Sequence, residues 1–153
     1  MDTASTPSAT STSPSPTRLA LRASTVSVLA AMLANIGVYG LGRMTDASFV
    51  VSPSLGPQDL QVDAIKVALT TLAYYAPGVL LLVVAARRSS RWVRILAVVA
   101  AVFAVASAWG PLDASHDRAT GWVLAPMHWT TGAAFVIAAV WVQRRVARGE
   151  HRG

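Results

Sequence analysis

The sequence predicts an all-α membrane protein in which four transmembrane helices form a bundle. Of its 153 residues, 54% are hydrophobic and 13% are charged, which is a more apolar balance than that of ordinary soluble domains. The apolar residues form four continuous blocks, at residues 19–41, 64–86, 93–110 and 122–142. Each block is close to the roughly 20 residues that a helix needs to cross a hydrocarbon layer roughly 30 Å thick. The blocks lack the alternation of β-barrel strands, so helices are expected.

The first block follows a segment rich in Ser, Thr and Pro. Residues 1–17 contain 13 of these residues and cannot bury enough apolar surface to fold. We therefore expect a disordered tail, either an inert leader or an arm for phosphorylation or partner binding. The helical domain is expected at residues 18–143, and an Arg-rich tail at residues 144–153.

The first block has a second interpretation, as a cleavable signal peptide. Arg18 and Arg22 resemble the charged start of such a peptide, and the stretch that ends at Ala47 resembles a weak cleavage site. The hydrophobic region of a signal peptide usually has about 7 to 15 residues, whereas this block has about 20 apolar or small residues. We therefore expect a helix that is retained.

The distribution of Lys and Arg predicts a multi-pass protein of the plasma membrane with both termini in the cytoplasm. Basic residues are enriched in the cytoplasmic loops of membrane proteins. This orientation leaves only three of the 13 basic residues outside, namely Arg43, Lys66 and Arg118. The net charge of +6 is therefore explained by membrane anchoring, and nucleic acid is not an expected partner.

The connection between the first two helices, residues 43–62, predicts a short external cap. The stretches "SFVV" and "LQV" flank the turn-rich "SPSLGPQD", a pattern typical of a short β-hairpin. A loop of this length either covers a site or only connects two helices.

Small and polar residues predict the contact face of the first helix. They recur at steps of three and four and therefore share one side of the helix: Ser24, Ser27, Ala31, Asn35, Val38 and Gly42. In hydrocarbon an Asn side chain is expected to bond a partner on a neighbouring helix, so Asn35 is the polar residue to follow.

The same spacing in the second helix aligns five residues: Asp63, Lys66, Thr70, Tyr74 and Pro77. We expect Asp63 and Lys66 to pair at the outer mouth of the bundle. Thr70 and Tyr74 are then expected to point inward, and Pro77 to kink the helix.

With this topology the polar residues of the helices lie in the outer half of the bundle, above an aliphatic inner half. They predict an outward-facing polar pocket, with six candidate contacts: Asn35, Tyr39, Thr70, Tyr74, His128 and Thr131. His128 has two interpretations. If Pro126 lies in the first turn of its helix, His128 is interfacial; if the helix begins near Gly121, His128 lies deeper and is a functional candidate.

Few residues suggest catalysis or cofactor binding. The chain has no cysteine, which excludes disulfides and thiolate chemistry. A single helix-borne His128 does not supply the two ligands of a bis-histidine haem, and no carboxylate lies within the blocks for coupled transport. We expect no cofactor and no catalytic residue. Asp113, His116 and Asp117, with His128, are weak candidates for an external metal site, although a solvated turn also explains "DASHD".

Several short motifs resemble a family of uncharacterised small four-helix membrane proteins from actinobacteria. They are Asn35 with Ile36 and Tyr39, the extended segment before the second helix, "WGPL" at residues 109–112, and Met127 with His128. The resemblance covers roughly residues 24–142. It implies the four-helix architecture and supplies no activity.

Three functions remain open from the sequence. The first is a non-enzymatic scaffold or accessory subunit, which requires Ala30, Ala34 and Gly37 to stay small for association with itself or with a membrane-protein partner. The second is binding or transport of a small or lipidic molecule in the outer pocket. The third is an external metal-assisted enzyme. We expect the first of these functions. The lipid bilayer is an expected partner whichever function the protein has.

Overall fold

The computed structural model describes residues 15–53 and 59–150. The elements in chain order are α1 (Pro16–Gly42), β1 (Val50–Val51), β2 (Leu60–Gln61), α2 (Ala64–Arg88), α3 (Ser90–Ser107), α4 (Trp109–Ala114) and α5 (Arg118–Glu150). Four helical stretches of the described chain are long and apolar enough to cross a membrane: α1, α2, α3 together with α4, and α5. This is the architecture of a multi-pass membrane protein.

The helix bounds differ from the sequence expectation mainly at the two ends of the chain. Most of the expected disordered segment lies outside the described residues, but Pro16 and Thr17 already belong to α1, with Ser15 as the N-cap. Pro suits the first helical turn because it has no N–H to leave unsatisfied. At the other end, α5 continues through residues 144–150, which were expected to form a separate tail.

The bundle has two chemically different ends. We call the end that carries Arg87, Arg88, Arg91 and Arg94 the arginine end, and the end that carries β1, β2 and α4 the hairpin end. α1 packs mainly against α2 and α5, and α5 also packs against α3, whereas α2 and α3 touch less. The largest fully buried side chains toward the arginine end are Leu82, Val93 and Val142, so this half of the core is aliphatic.

Small residues set the distance between α3 and α5. A Cβ added at Gly132 of α5 would clash with the Cβ of Ala104 on α3. Neither of these groups is a flexible side-chain end that moves aside, so the two backbones lie close only because residue 132 is glycine.

The hairpin end is closed by a short two-stranded sheet. β1 and β2 are antiparallel, with Val50 paired to Gln61 and Val51 to Leu60. On its other side β1 meets the end of α4, where Ser52 donates its N–H to the carbonyl of Ala114 at 2.8 Å. The expected β-hairpin is therefore present, and the tip of its turn lies outside the described residues.

Candidate functional site

A buried polar group at the centre of the bundle is the side-chain amide of Asn35. Asn35 lies on α1 and is only 2% exposed. Its Nδ2 donates to Thr71 Oγ1 on α2 at 3.0 Å and to Thr131 Oγ1 on α5 at 2.9 Å. Its Oδ1 accepts a hydrogen bond from Thr130 Oγ1. One amide thus joins three helices.

The threonine partners are oriented by their own helices. Thr71 donates its hydroxyl proton to the carbonyl of Val67 at 2.8 Å, and Thr131 donates to the carbonyl of Met127 at 2.7 Å. A hydroxyl has one proton and two lone pairs, so both oxygens present lone pairs to the two N–H groups of Asn35. The amide is satisfied within the bundle and has no N–H left for a ligand.

A second polar contact lies deeper in the bundle, between Ser27 on α1 and Tyr75 on α2. Ser27 donates its proton to the carbonyl of Ala23 at 2.8 Å, so the Tyr75 hydroxyl is the donor in the 2.5 Å contact between the two side chains. The ring of Tyr75 meets Phe135 of α5 edge to face, with 5.5 Å between the centroids. The nearby Ser24 hydroxyl is buried and has no hydrogen-bond partner among the described residues.

Asn35, Thr71, Thr130 and Thr131 form a polar layer, which we call the Asn35 layer, and Phe49 covers it from the hairpin end. Its side chain is 0% exposed and belongs to a hydrophobic cluster with Val67, Leu124 and Met127. Val67 and Met127 stand one helical turn before Thr71 and Thr131, so this cluster lies directly on the hairpin side of the polar layer. An apolar plug therefore occupies the mouth of the expected pocket.

The backbone of Phe49 is strained in this position. Its φ is 56°, which is in the left-handed region that a bulky residue rarely adopts. Its N–H donates to Thr120 Oγ1 of α5 at 2.8 Å, and its ring contacts Tyr39 with 4.7 Å between the centroids. Burial of the ring and this hydrogen bond hold the strained conformation.

Asp117 fastens the hairpin to the start of α5. Its carboxylate accepts hydrogen bonds from the hydroxyl of Ser48 at 2.5 Å, the N–H of Thr120 at 2.7 Å and the hydroxyl of Thr120 at 2.8 Å. The bonds from Ser48, followed by those from Thr120, hold the pKa of Asp117 well below its ordinary value. Asp117 acts as the N-terminal cap of α5, and it also binds Ser48 in the segment that leads into β1.

Asp63 caps the start of α2 in a similar way. It also pairs with Lys66, as the sequence predicted. The N–H of Lys66 donates to Asp63 Oδ1 at 2.8 Å, and its ammonium lies 2.9 Å from Asp63 Oδ2. These two hydrogen bonds, the backbone one first, lower the pKa of Asp63. Both side chains are about half exposed to solvent, so the pair adds little to stability.

The face expected for α2 is wrong by one residue. Tyr74 is 69% exposed and Thr70 is also exposed, so neither joins the Asn35 layer. The neighbouring Thr71 and Tyr75 are the buried residues. The expected face was continued from Asp63 and Lys66, and these residues belong to the cap of the helix rather than to its packed side. Pro77 also lies on the exposed side, and α2 continues through it.

Two other candidate pocket contacts, Tyr39 and Thr131, do lie at the hairpin end of the bundle. Tyr39 contacts Phe49, and Thr131 binds Asn35. The face of α1 is confirmed, since Ser24, Ser27, Ala31, Asn35 and Gly42 are all buried.

His128 takes the deeper of its two expected positions. α5 begins at Arg118, so Pro126 lies inside the helix and not in its first turn. Nδ1 of His128 contacts Ser107 Oγ on α3 at 3.0 Å, and the side chain is half-buried. The structure thus brings Asn35 and Thr131 together, and places His128 on a separate contact between α3 and α5.

The candidate metal ligands are not assembled. The described residues contain no group of three or more His, Cys, Asp or Glu side chains that could hold a metal ion. Asp113 is exposed, Asp117 is the α5 cap, and His116 binds elsewhere on the hairpin.

His116 contacts Ser52 and Asp59 on the hairpin, and this contact was not expected from the sequence. Nε2 of His116 lies 2.8 Å from Ser52 Oγ and 3.1 Å from Asp59 Oδ1. In a catalytic triad the carboxylate binds the ring nitrogen that does not face the serine, and so orients the base. Here both partners meet the same nitrogen, so the three residues do not have triad geometry. No spacing in the sequence brings residues 52, 59 and 116 together, because a β-strand contact does so.

The fold and the closed polar layer together define the class of this protein. It is a small multi-pass membrane protein, with four apolar helices around an interior whose principal polar side chains bind one another. The chain belongs to a family of unknown function, DUF6069, which matches residues 15–147. This match confirms the resemblance to an uncharacterised family. No curated protein and no solved structure matches the chain.

Proposed function

We propose that the protein is a non-enzymatic scaffold or accessory subunit of the membrane, which associates with a helix of a second copy or of a partner through the exposed side of α1. The observation that supports this most is the division of α1 into two faces. Asn35 and Ser27 face the bundle, where both bind side chains of α2. The small residues named in the scaffold hypothesis face outward.

The outward face of α1 combines small and large apolar residues. Ala30, Ala34 and Gly37 are all exposed, and a Cβ added at Gly37 or Gly40 would meet nothing within 4 Å. Exposed apolar residues are normal in lipid, but a row of small residues lets a second helix approach closely enough for van der Waals packing. The flanking Leu33 is also exposed and lies beside this row.

The proposed orientation places the arginine end in the cytoplasm and the hairpin end outside, in the plasma membrane, because Lys and Arg are enriched on the cytoplasmic side. Single cysteines can test it without background, since the chain has no native cysteine. A membrane-impermeant maleimide added to intact cells should label Thr45→Cys at the hairpin end and leave Ser89→Cys at the arginine end unlabelled. The opposite labelling would overturn the orientation.

The association itself is tested by enlarging the small residues. Gly37→Leu and Ala34→Leu should weaken association of the full-length protein in vesicles, measured by energy transfer between labelled copies and by recovery of co-purifying membrane proteins. Ala76→Leu on α2 is the matched control, because Ala76 is an exposed small residue on another helix. Equal association in all three variants would contradict the proposal.

The pocket hypothesis is not supported by the contacts, because Asn35 is fully bonded and Phe49 covers it. No contact favours the metal-assisted enzyme.

A further inference from the structure

Two grooves run along α3 at the arginine end. The first has a volume of about 380 Å³ and lies between α3 and α5. The second, of about 380 Å³, lies on the other side of α3. Both are lined by Arg94 and Val98, so these two residues form a ridge between the grooves.

The first groove is polar at one end and apolar along the rest. Arg94 of α3 and Gln143 of α5 lie at its polar end. The remaining lining is small or β-branched: Ala97, Val98, Ala101, Val136 and Val140. The small Ala97 and Ala101 are one helical turn apart on the same face, which leaves the space of the groove open. From Arg94 to Ala101 is seven residues, or about 10 Å of helix.

The second groove repeats this polarity. Arg91 and Arg94 lie at one end, and the rest of the lining is formed by Ile95, Val98 and Val99. Both grooves therefore start from the same cationic end and run in the same direction toward the middle of the bundle.

Arg91 and Arg94 form no ion pair with an acidic side chain within the part of the chain that the structure describes. The carboxylates that lie against a basic side chain there are Asp63, beside Lys66, and Asp59, beside His116, both at the hairpin end. One carboxylate does reach the start of α3: Glu150 of α5 accepts hydrogen bonds from the N–H of Ser90 at 3.0 Å and from its hydroxyl at 2.8 Å. That carboxylate caps the first turn of α3.

We propose that these two grooves bind one anionic diacyl phospholipid, with its phosphate on Arg91 and Arg94 and one acyl chain in each groove. One cationic end and two apolar grooves, one on each side of a shared ridge, match one phosphate and two hydrocarbon chains. Guanidinium groups bind phosphate oxygens through paired N–H donors, and basic sites between membrane helices bind anionic headgroups. This inference does not depend on the α1 association proposed above.

The test uses the full-length protein in nanodiscs or detergent, with lipid binding measured by native mass spectrometry. The probes are dioleoyl phosphatidylglycerol and dioleoyl phosphatidylcholine. Wild-type protein should retain the anionic lipid preferentially. Arg94→Gln should reduce that preference about ten-fold, as expected for the loss of a charge-assisted contact. Arg87→Gln, which removes one exposed arginine from the same end but outside both grooves, should change it little.

A second pair of variants tests the acyl-chain part of the site. Ala101→Phe should fill the first groove and reduce binding of both lipids, whereas Val105→Phe, one turn further along α3 and outside the groove, should not. Glycerol phosphate, which has the headgroup charge without the chains, should not compete. Equal effects of Arg94→Gln and Arg87→Gln, equal effects of the two Phe variants, or competition by glycerol phosphate would overturn the proposal.

Discussion

The amide of Asn35 and the hydroxyl of Thr71 join α1 to α2 across 3.0 Å inside the bundle. Thr71 sends its own proton to the carbonyl of Val67, one turn back on α2. The pair therefore has a fixed direction, with α1 as donor and α2 as acceptor, and this direction determines what each substitution removes.

Asn35→Ala should lower the free energy of unfolding by about 1 to 2 kcal/mol, because hydrogen bonds between membrane helices contribute on this order. The loss is limited because the threonines keep their bonds to their own backbones. Unfolding in mixed detergent micelles measures it. A cycle with Thr71→Ala should show coupling between the two residues, whereas Thr70→Ala, on the exposed side of α2, should show none.

Gly132→Ala should destabilise the bundle by about 1 to 3 kcal/mol, since the new methyl group overlaps with Ala104 and has to push α3 away from α5. Gly37→Ala is the control because its added Cβ meets nothing within 4 Å and alanine favours the helix. Thermal unfolding of the two variants in the same detergent compares them. A Gly132→Ala protein as stable as Gly37→Ala would show that the helices are not in close contact.

Phe49→Ala should destabilise the hairpin end by about 3 to 5 kcal/mol, because it removes a fully buried ring. Phe49→Gly should be more stable than Phe49→Ala, by about 1 kcal/mol, because only glycine adopts the positive φ of this position without strain. This order of stability is the reverse of the usual one, because glycine inside a helix or strand usually destabilises a protein relative to alanine. If alanine proved the more stable residue here, the strained backbone would be contradicted.

Asp117→Asn should lower the melting temperature at neutral pH, because the charged carboxylate is what Ser48 and Thr120 bind. The pKa of Asp117 is below its ordinary value of 3.8 in the folded protein. Its contribution is therefore complete above that value and is lost as the pH falls from it toward the lower, folded pKa. The difference in melting temperature between wild type and Asp117→Asn should shrink progressively below about pH 4.

Asp113→Asn is the control for that series, since Asp113 is an exposed carboxylate of the neighbouring α4 that no described residue binds through an ion pair. A difference that stays constant down to low pH would show that Asp117 acts through its shape and not through its charge.

The four helices were predictable because each apolar block is long and continuous enough to identify a span by length and composition alone. The start of α5 was not predictable in the same way. Its cap, Asp117, is fixed by Ser48, which lies 69 residues earlier, so the hydrophobic pattern from Trp122 onward gave the wrong starting point. The third span also divides at Ala108 into α3 and α4, close to Gly110 and Pro111, a dipeptide that commonly interrupts a helix.

Asn35 was correctly identified as a residue with partners on neighbouring helices, because an amide in an apolar face requires them. Its partner on α2 was missed for a geometric reason. The doublets Thr70–Thr71 and Tyr74–Tyr75 each contain two residues about 100° apart around the helix, and both choices keep the spacing of four. Only packing against α1 separates them. The run from Val67 through Thr71 and Tyr75 to Leu82 is the signal that would have identified the buried side.

The contacts of α5 have a consequence for the order of events during synthesis. The Asn35 amide binds Thr130 and Thr131, which are translated 95 and 96 residues later, and the start of α3 is bonded by Glu150, translated 60 residues after Ser90. When the ribosome has produced only the first three spans, both groups still lack these partners inside the bilayer or at its surface. The final span therefore completes the hydrogen bonding of the earlier ones, and a chain that ends before residue 130 should be less stable in the membrane than the full-length protein.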